Sequence, residues 1–143
     1  MKIKQIAVFL ENKKGRLAEV TRVLSEAGVN IRALSLADTA DFGILRLIVN
    51  DTEKALAALK IKEFVAQVNE VIAVEIEDKP GGLSKILDVF EKENINIEYM
   101  YAFVEKHVDN AIVIFRTDEH QKMIDVLGKH KIGIVSNDVL KNL

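Results

Sequence analysis

The chain has 143 residues, 49% of them hydrophobic and 29% charged, and a formal net charge of −2 from 20 basic and 22 acidic residues. That suits one ordinary packed domain or two small ones, and it argues against disorder and against a protein built to grip a phosphate backbone. The absence of cysteine excludes disulfides, thiolate metal sites, iron–sulfur clusters and thiol catalysis.

Residues 3–11 form an apolar run that reads as a strand, and Asn12-Lys13-Lys14-Gly15 reads as a turn. Over 16–27, Leu17, Val20, Val23, Leu24 and Ala27 recur at helical spacing, and Gly28 stops that helix. Residues 30–37 are a second strand, 38–41 a hairpin turn and 43–49 a third strand rich in β-branched and leucine side chains. Asp51 or Thr52 caps a short helix bearing Ala55, Leu56 and Leu59, and 64–68 is a fourth strand. The same order then returns. Strand 72–77, turn 78–82, helix 83–93 with Leu83, Ile86, Leu87 and Phe90 inward, and strand 95–104 are followed by a turn at 106–109. Strand 111–116, a helix capped by Asp118 that carries Met123, Ile124 and Leu127, and strand 132–135 complete the chain. Because 64–76 is almost unbroken β pattern, the last strand of the first half is expected to run straight into the first strand of the second.

The recurrence is visible in the residues themselves. A shift of 66 places Ile6-Ala7-Val8 on Ile72-Ala73-Val74, Glu11 on Glu77, Lys13 on Lys79, Gly15 on Gly81, Leu17 on Leu83 and Asn30-Ile31 on Asn96-Ile97. The second halves match only in pattern. The reading is therefore an α+β chain of two tandem ferredoxin-like βαββαβ units, residues 1–69 and 70–143, each an antiparallel sheet with helices on one face. A unit of about 65 residues has a thin core, so the two are expected to pack together, leaving a groove.

Chemistry concentrates in the loop between the first strand and first helix of each unit. The loops read Asn12-Lys13-Lys14-Gly15-Arg16-Leu17 and Asp78-Lys79-Pro80-Gly81-Gly82-Leu83. Glycine lets the backbone approach another object, and the free N–H groups of the following helix suit a carboxylate or other small anion. Asn30 and Asn96, which open the second strands, carry both donor and acceptor atoms, as gripping a zwitterion requires. Blander roles stand beside these. Gly15 and Gly81 could only shape turns, Asn12 and Asp78 only cap helices, and Asn30 and Asn96 only lead out of helices. Leu17 and Leu83 read rather as core, and Arg16 as a solvated helix residue. Tyr99 and Tyr101 alternate with Met100, so both point to one face of their strand and could wall a pocket.

The pattern Asp/Asn-x-Pro-Gly-x-Leu, an amphipathic helix and Gly-Val-Asn-Ile resembles the ACT domain family of amino-acid-sensing regulatory modules, twice over and across essentially the whole chain. The second unit keeps Pro80-Gly81-Gly82-Leu83 but has Asn94 where glycine ends the helix. The first keeps Gly15, Leu17, Gly28, Val29 and Asn30 but has Lys14 where proline is usual. The resemblance implies paired units with ligands at the seam, the loop of one facing the second-strand asparagine of the other. One site would use Asn12, Gly15, Arg16 and Leu17 with Asn96. The other would use Asp78, Pro80, Gly81, Gly82 and Leu83 with Asn30.

Rival functions lack their residues. His107, His120 and His130 have no metal-ligand spacing and read as solvated surface, and no nucleophile elbow, P-loop or dinucleotide fingerprint appears. Acylphosphatases share the topology, but their arginine-bearing phosphate loop has no counterpart at 11–16. RNA-recognition domains stack bases on aromatics of the central strands, and here 43–49 and 111–116 are nearly free of them. No apolar stretch nears the roughly 20 residues that span a bilayer, and the N-terminus lacks the apolar segment of a signal peptide. The expectation is a non-catalytic, cofactor-free, metal-free cytoplasmic sensor that binds a free amino acid or similar carboxylate and neither nucleic acid nor membrane. It would self-associate as a homodimer, given open sheet edges, and would act on a separate effector protein of amino-acid metabolism. A protein-interaction module without a metabolite ligand is the alternative.

Overall fold

Alternation of side chains sets the first strand. In β1 (Ile3–Glu11), Ile6, Val8 and Leu10 share one face and are buried. Helix α1 (Arg16–Glu26) lays Val20, Val23 and Leu24 on that face. Strands β2 (Ile31–Asp38) and β3 (Phe42–Val49) follow, and α2 (Thr52–Ile61) begins at Asp51, whose carboxylate accepts from the Lys54 N–H at 3.2 Å. Then come β4 (Val65–Glu77), α3 (Gly82–Lys92), β5 (Tyr99–Ala102), β6 (Asn110–Arg116), α4 (His120–Lys129) and α5 (Asn137–Lys141). The computed structural model describes residues 2–38, 41–103 and 109–142.

The chain divides into two compact units, Lys4–Asn69 and Glu70–Leu143 together with Met1–Ile3. In the first, the strand order is β2-β3-β1-β4, with Val8 opposite Leu45 and Leu34 opposite Leu47 in antiparallel pairs. In the second, the later residues of β4 pair with β6, Ile72 opposite Phe115, and β6 pairs with β5. The other side of β4 is bridged at Val74 by Ile134, with the Val135 N–H donating to the Ala73 carbonyl at 2.8 Å. Both units thus have the antiparallel ferredoxin-like order that the sequence predicts. Inward residues of α3 and α4 (Ile86, Phe90, Met123 and Leu127) meet Ile72, Val74, Ile76 and Phe115 in the second core. The rings of Phe90 and Phe115 lie edge to face, 5.2 Å apart at 85°.

The first four helices end in one way. A left-handed residue follows each: Gly28 (φ 73), Glu63 (φ 64), Asn94 (φ 58) and Lys131 (φ 58). The next N–H then reaches back to a carbonyl of the last turn, Val29 to Leu24, Phe64 to Leu59, Ile95 to Phe90 and Ile132 to Leu127. Asn94 therefore does the work of the glycine it replaces. Glu63 and Lys131 hold a conformation that nothing in their residue type announces.

Several details differ from the sequence reading. Leu17 and Leu83 are not core; they are 40% and 36% exposed, and the buried apolar side chains of the two helices are Val20, Val23 and Leu24 in α1 and Ile86 and Phe90 in α3. Asn12 and Asp78 cap no helix, since Gly15 and Gly81 occupy the capping positions, without side-chain bonds. Asp118 is not a cap either: the cap position is Glu119, whose N–H donates to the Thr117 hydroxyl at 3.1 Å. The strand expected over 95–104 shortens to Tyr99–Ala102, because the Ile95 N–H is spent on the end of α3. Residues 132–135 make a bridge rather than a full strand, and α5, capped by Ser136, was not foreseen. The turns expected at 38–41 and 106–109 fall partly, and Val104 and His107 wholly, outside the described residues.

Candidate ligand-binding site

The two glycine loops share three backbone hydrogen bonds. The Lys13 and Lys79 N–H groups turn back to the carbonyls of Glu11 and Glu77 at 2.8 and 2.9 Å. The Arg16 and Gly82 N–H groups donate to the carbonyls of Lys13 and Lys79 at 3.3 and 3.0 Å, and Glu19 and Lys85 to those of Gly15 and Gly81 at 3.0 Å. Gly15 (φ 88) and Gly81 (φ 86) make the left-handed step that turns the chain into its helix. The N–H groups of Leu17, Ala18, Leu83 and Ser84 have no acceptor among the described residues, so each helix presents free donors at its positive end. An exposed ion pair stands at each loop base, Lys13–Glu11 at 2.8 Å and Lys79–Glu77 at 2.6 Å. The lysine, hydrogen-bonded to its glutamate, holds the Glu11 and Glu77 carboxyls below the usual range and raises the Lys79 ammonium.

The candidate asparagines stand elsewhere. Asn30 is exposed just before β2; its N–H donates to the Asn50 side-chain oxygen at 2.9 Å and its carbonyl accepts from the Asn50 N–H at 3.1 Å. Asn96 is exposed in the loop before β5. Within a unit the loop lies at one end of the first helix and the asparagine at the other, about 16 Å away for 11 residues at 1.5 Å each. Neither unit alone brings its own loop and asparagine together. Asn12 is exposed, with its N–H donating to the Asp41 carbonyl at 3.0 Å, and Asp78 and Pro80 are exposed at the second loop.

Beside the second loop lies a cavity of about 460 Å³, within the range of small-molecule sites. Gly81 and Gly82 form one wall and the Ile86 and Ile132 side chains another, while Lys85, Lys131 and Glu75 bring charge to it. Glu75 accepts from the Asn110 amide at 3.2 Å. Neither Lys85 nor Lys131 makes an ion pair among the described residues. Gly82 is buried so close to the chain that an added Cβ would overlap the Glu77 carbonyl oxygen and lie 3.1 Å from its carbon. The first unit has Arg16 at the matching position. It is not the solvated residue expected: its guanidinium lies 4.7 Å over the Phe64 ring and donates to Glu19 at 3.0 Å, with Nε buried and unbonded among the described residues.

Lys85, Lys131, Glu75 and Asn110 were not singled out from sequence, because they lie in no motif. His120 corrects another reading. It is half-buried, its Nε2 2.9 Å from an Arg116 Nη1 that also reaches the Glu70 carbonyl. Burial, then the Arg116 charge, pushes its imidazole below the usual range. The Tyr99 and Tyr101 rings do share a face, stacked 6.4 Å apart. Among the described residues no trio of His, Asp or Glu could hold a metal ion, and no helix is long and apolar enough to cross a membrane.

The fold is a doubled ferredoxin-like module with paired glycine loops. The family model for the ACT domain pair matches residues 1–143, and the chain belongs to that family. Paired ACT domains are typical of ligand-binding regulatory modules of amino-acid metabolism. The crystal structure of protein BT0572 from Bacteroides thetaiotaomicron is similar at 41% identity and a TM-score of 0.93, covering 100% of this chain and 98% of that one. The ligand-free regulatory subunit of aspartate kinase from Thermus thermophilus shares the fold at 16% identity and a TM-score of 0.61, over 88% of this chain and 90% of that one. Escherichia coli aspartokinase III, in complex with lysine and aspartate, shares it at 14% identity and a TM-score of 0.55, over 90% of this chain and 31% of that one. No curated protein matches the chain.

Proposed function

We propose that the chain is a non-catalytic regulatory module that binds a free amino acid at its glycine loops and passes that state to a separate effector protein. The observation that carries this reading is the repeated loop. A left-handed glycine turns into a helix whose first N–H groups are free, and in the second unit a cavity of about 460 Å³ adjoins it. Donors there receive the carboxylate, while Asn30 and Asn96 supply amide groups for the rest of a zwitterion. Asn12, Gly15, Arg16 and Leu17 frame the first loop, and Asp78, Pro80, Gly81, Gly82 and Leu83 the second. Ligand acts by stabilising the arrangement that it binds more tightly. The chain self-associates through open sheet edges: β2 ends its sheet and leaves Leu34 and Leu36 about half exposed.

A thermal-shift screen of the purified chain against the twenty amino acids tests the reading. Ligand at about a hundred times its Kd adds roughly 2.7 kcal/mol, which raises Tm by several degrees. A selective rise that Asn30→Ala or Asn96→Ala weakens is expected. A flat response across all twenty would sink the sensor reading and favour a protein-interaction module.

A further inference from the structure

The two units hold their strand asparagines by different means. In the second unit one guanidinium does so. Arg116 Nε donates to the Glu98 carboxylate at 3.2 Å, and Nη1 donates to the Glu70 backbone carbonyl at 2.7 Å and to His120 Nε2 at 2.9 Å. Glu98 and Asn96 both lie in the stretch between α3 and β5, and the Glu98 N–H donates to the Arg116 carbonyl at 2.9 Å. Lys122 holds the start of that stretch, at the Asn94 carbonyl, so Arg116 governs its far end. Arginine has no acceptor, so His120 Nε2 must accept, and the ring carries its proton on Nδ1, which is buried and unbonded among the described residues. A protonated ring has no lone pair to offer and sets a second cation against Arg116.

The first unit lacks both groups. Ile6 faces Leu47 as Ile72 faces Phe115, so Ile48 stands where Arg116 does. Thr52 and His120 each open the second helix of their unit, so Thr52 stands where His120 does. The first unit contains no histidine, and Asn30 is held by Asn50 through two uncharged hydrogen bonds.

We propose that the Arg116–His120 contact is a latch on the Asn96 stretch, closed at neutral pH and opened by acid, and that the Asn30 stretch has no such device. The latch stands on these contacts alone; where Asn96 meets a ligand, it makes that contact pH-dependent. The surroundings of the ring agree in direction. Burial disfavours the charged ring most, then Arg116 of β6 and Lys2 before β1, while Glu70 of β4 and Glu98 favour it more weakly. The ring therefore takes its proton below the usual imidazole value of about 6.5, and Arg116 then loses an acceptor. His130 responds in the opposite sense: its Nε2 lies 3.4 Å from Glu93, a carboxylate that a charged ring attracts.

Amide hydrogen exchange of the full chain, resolved by residue with NMR at about pH 7.5 and about pH 5, tests this. Rates are expressed as protection factors, which removes the intrinsic pH dependence of exchange. Protection of the Glu98 amide should fall about ten-fold in acid, the worth of one hydrogen bond to a charged group. The Asn50 amide, which donates to the Asn30 carbonyl, should keep its protection. His120→Gln offers Arg116 an oxygen that does not titrate, so Glu98 should stay protected at both pH values. Arg116→Met should leave it poorly protected at both, and His107→Gln and His130→Gln should behave as the unaltered chain. Equal protection of Glu98 at the two pH values, a fall that survives His120→Gln, or an equal fall at Asn50 would overturn the latch. The sensor reading is judged separately, by the thermal-shift screen at neutral pH, where the latch is closed.

Discussion

Gly82 and Gly81 are neighbours, yet alanine should harm them for different reasons and to different extents. Gly82 has an ordinary backbone, but the Cβ of alanine would overlap the Glu77 carbonyl oxygen, lie 3.1 Å from its carbon and lie 3.3 Å from the Ile76 side chain. The obstacle is backbone at the end of a sheet strand, and that carbonyl also accepts the Lys79 N–H at 2.9 Å. No rotamer change relieves it, so strand or loop must move. Overpacking of this kind costs about 3 kcal/mol. Gly81 is the reverse: nothing lies within 4 Å of an added Cβ, but φ is +86. A left-handed alanine costs about 1 kcal/mol. Gly15, with φ +88 and equally open space, should behave like Gly81. Urea unfolding followed by far-ultraviolet circular dichroism would rank the three, with Gly82→Ala clearly the most destabilised. If Gly82→Ala proved no worse than Gly81→Ala, the close approach of loop to strand would be refuted.

Other expectations follow from single contacts. Asp51→Ala removes the cap of α2 and should cost about 1 kcal/mol by the same assay. Phe115→Ala empties a fully buried position against the Phe90 ring and should cost about 3–5 kcal/mol. His120 titrates below its ordinary value in the folded chain, so the unfolded state takes up the proton first. Its contribution is therefore undiminished above the usual imidazole value of about 6.5 and is lost as pH falls below it. His120→Gln should flatten the decline in Tm between about pH 7 and pH 5. An unchanged slope would show that another group carries it.

Much of the fold was legible because apolar spacing and repetition spoke together. β1 carries alternating apolar residues, α1 carries Val20, Val23 and Leu24 at helical intervals, and the 66-residue register doubled each signal. What failed depended on where an element meets its neighbours. Leu17 and Leu83 fit the helical spacing, but in the fold their side chains stay exposed. Asn12 and Asp78 are good capping residue types placed too early, because the left-handed glycine delays the helix start to the next residue. Of the candidate site, the loops were legible from their glycines. Lys85 was visible in principle, as a lysine standing on Glu19 in the repeat. Lys131 was not, since the second halves drift by two residues, and only the shared left-handed backbone matches it to Glu63. Arg16 has the composition of a surface residue and reaches Phe64 only through the tertiary fold.

The most direct measurement is a nitrogen-15 correlation spectrum of the full chain titrated with the amino acid that raises Tm most in the thermal-shift screen, with the amides of Gly15, Leu17, Gly81, Gly82 and Leu83 assigned. Saturable shifts concentrated on those loop amides are the predicted result. Shifts confined to other residues, or none at millimolar ligand, would contradict a glycine-loop sensor of amino acids.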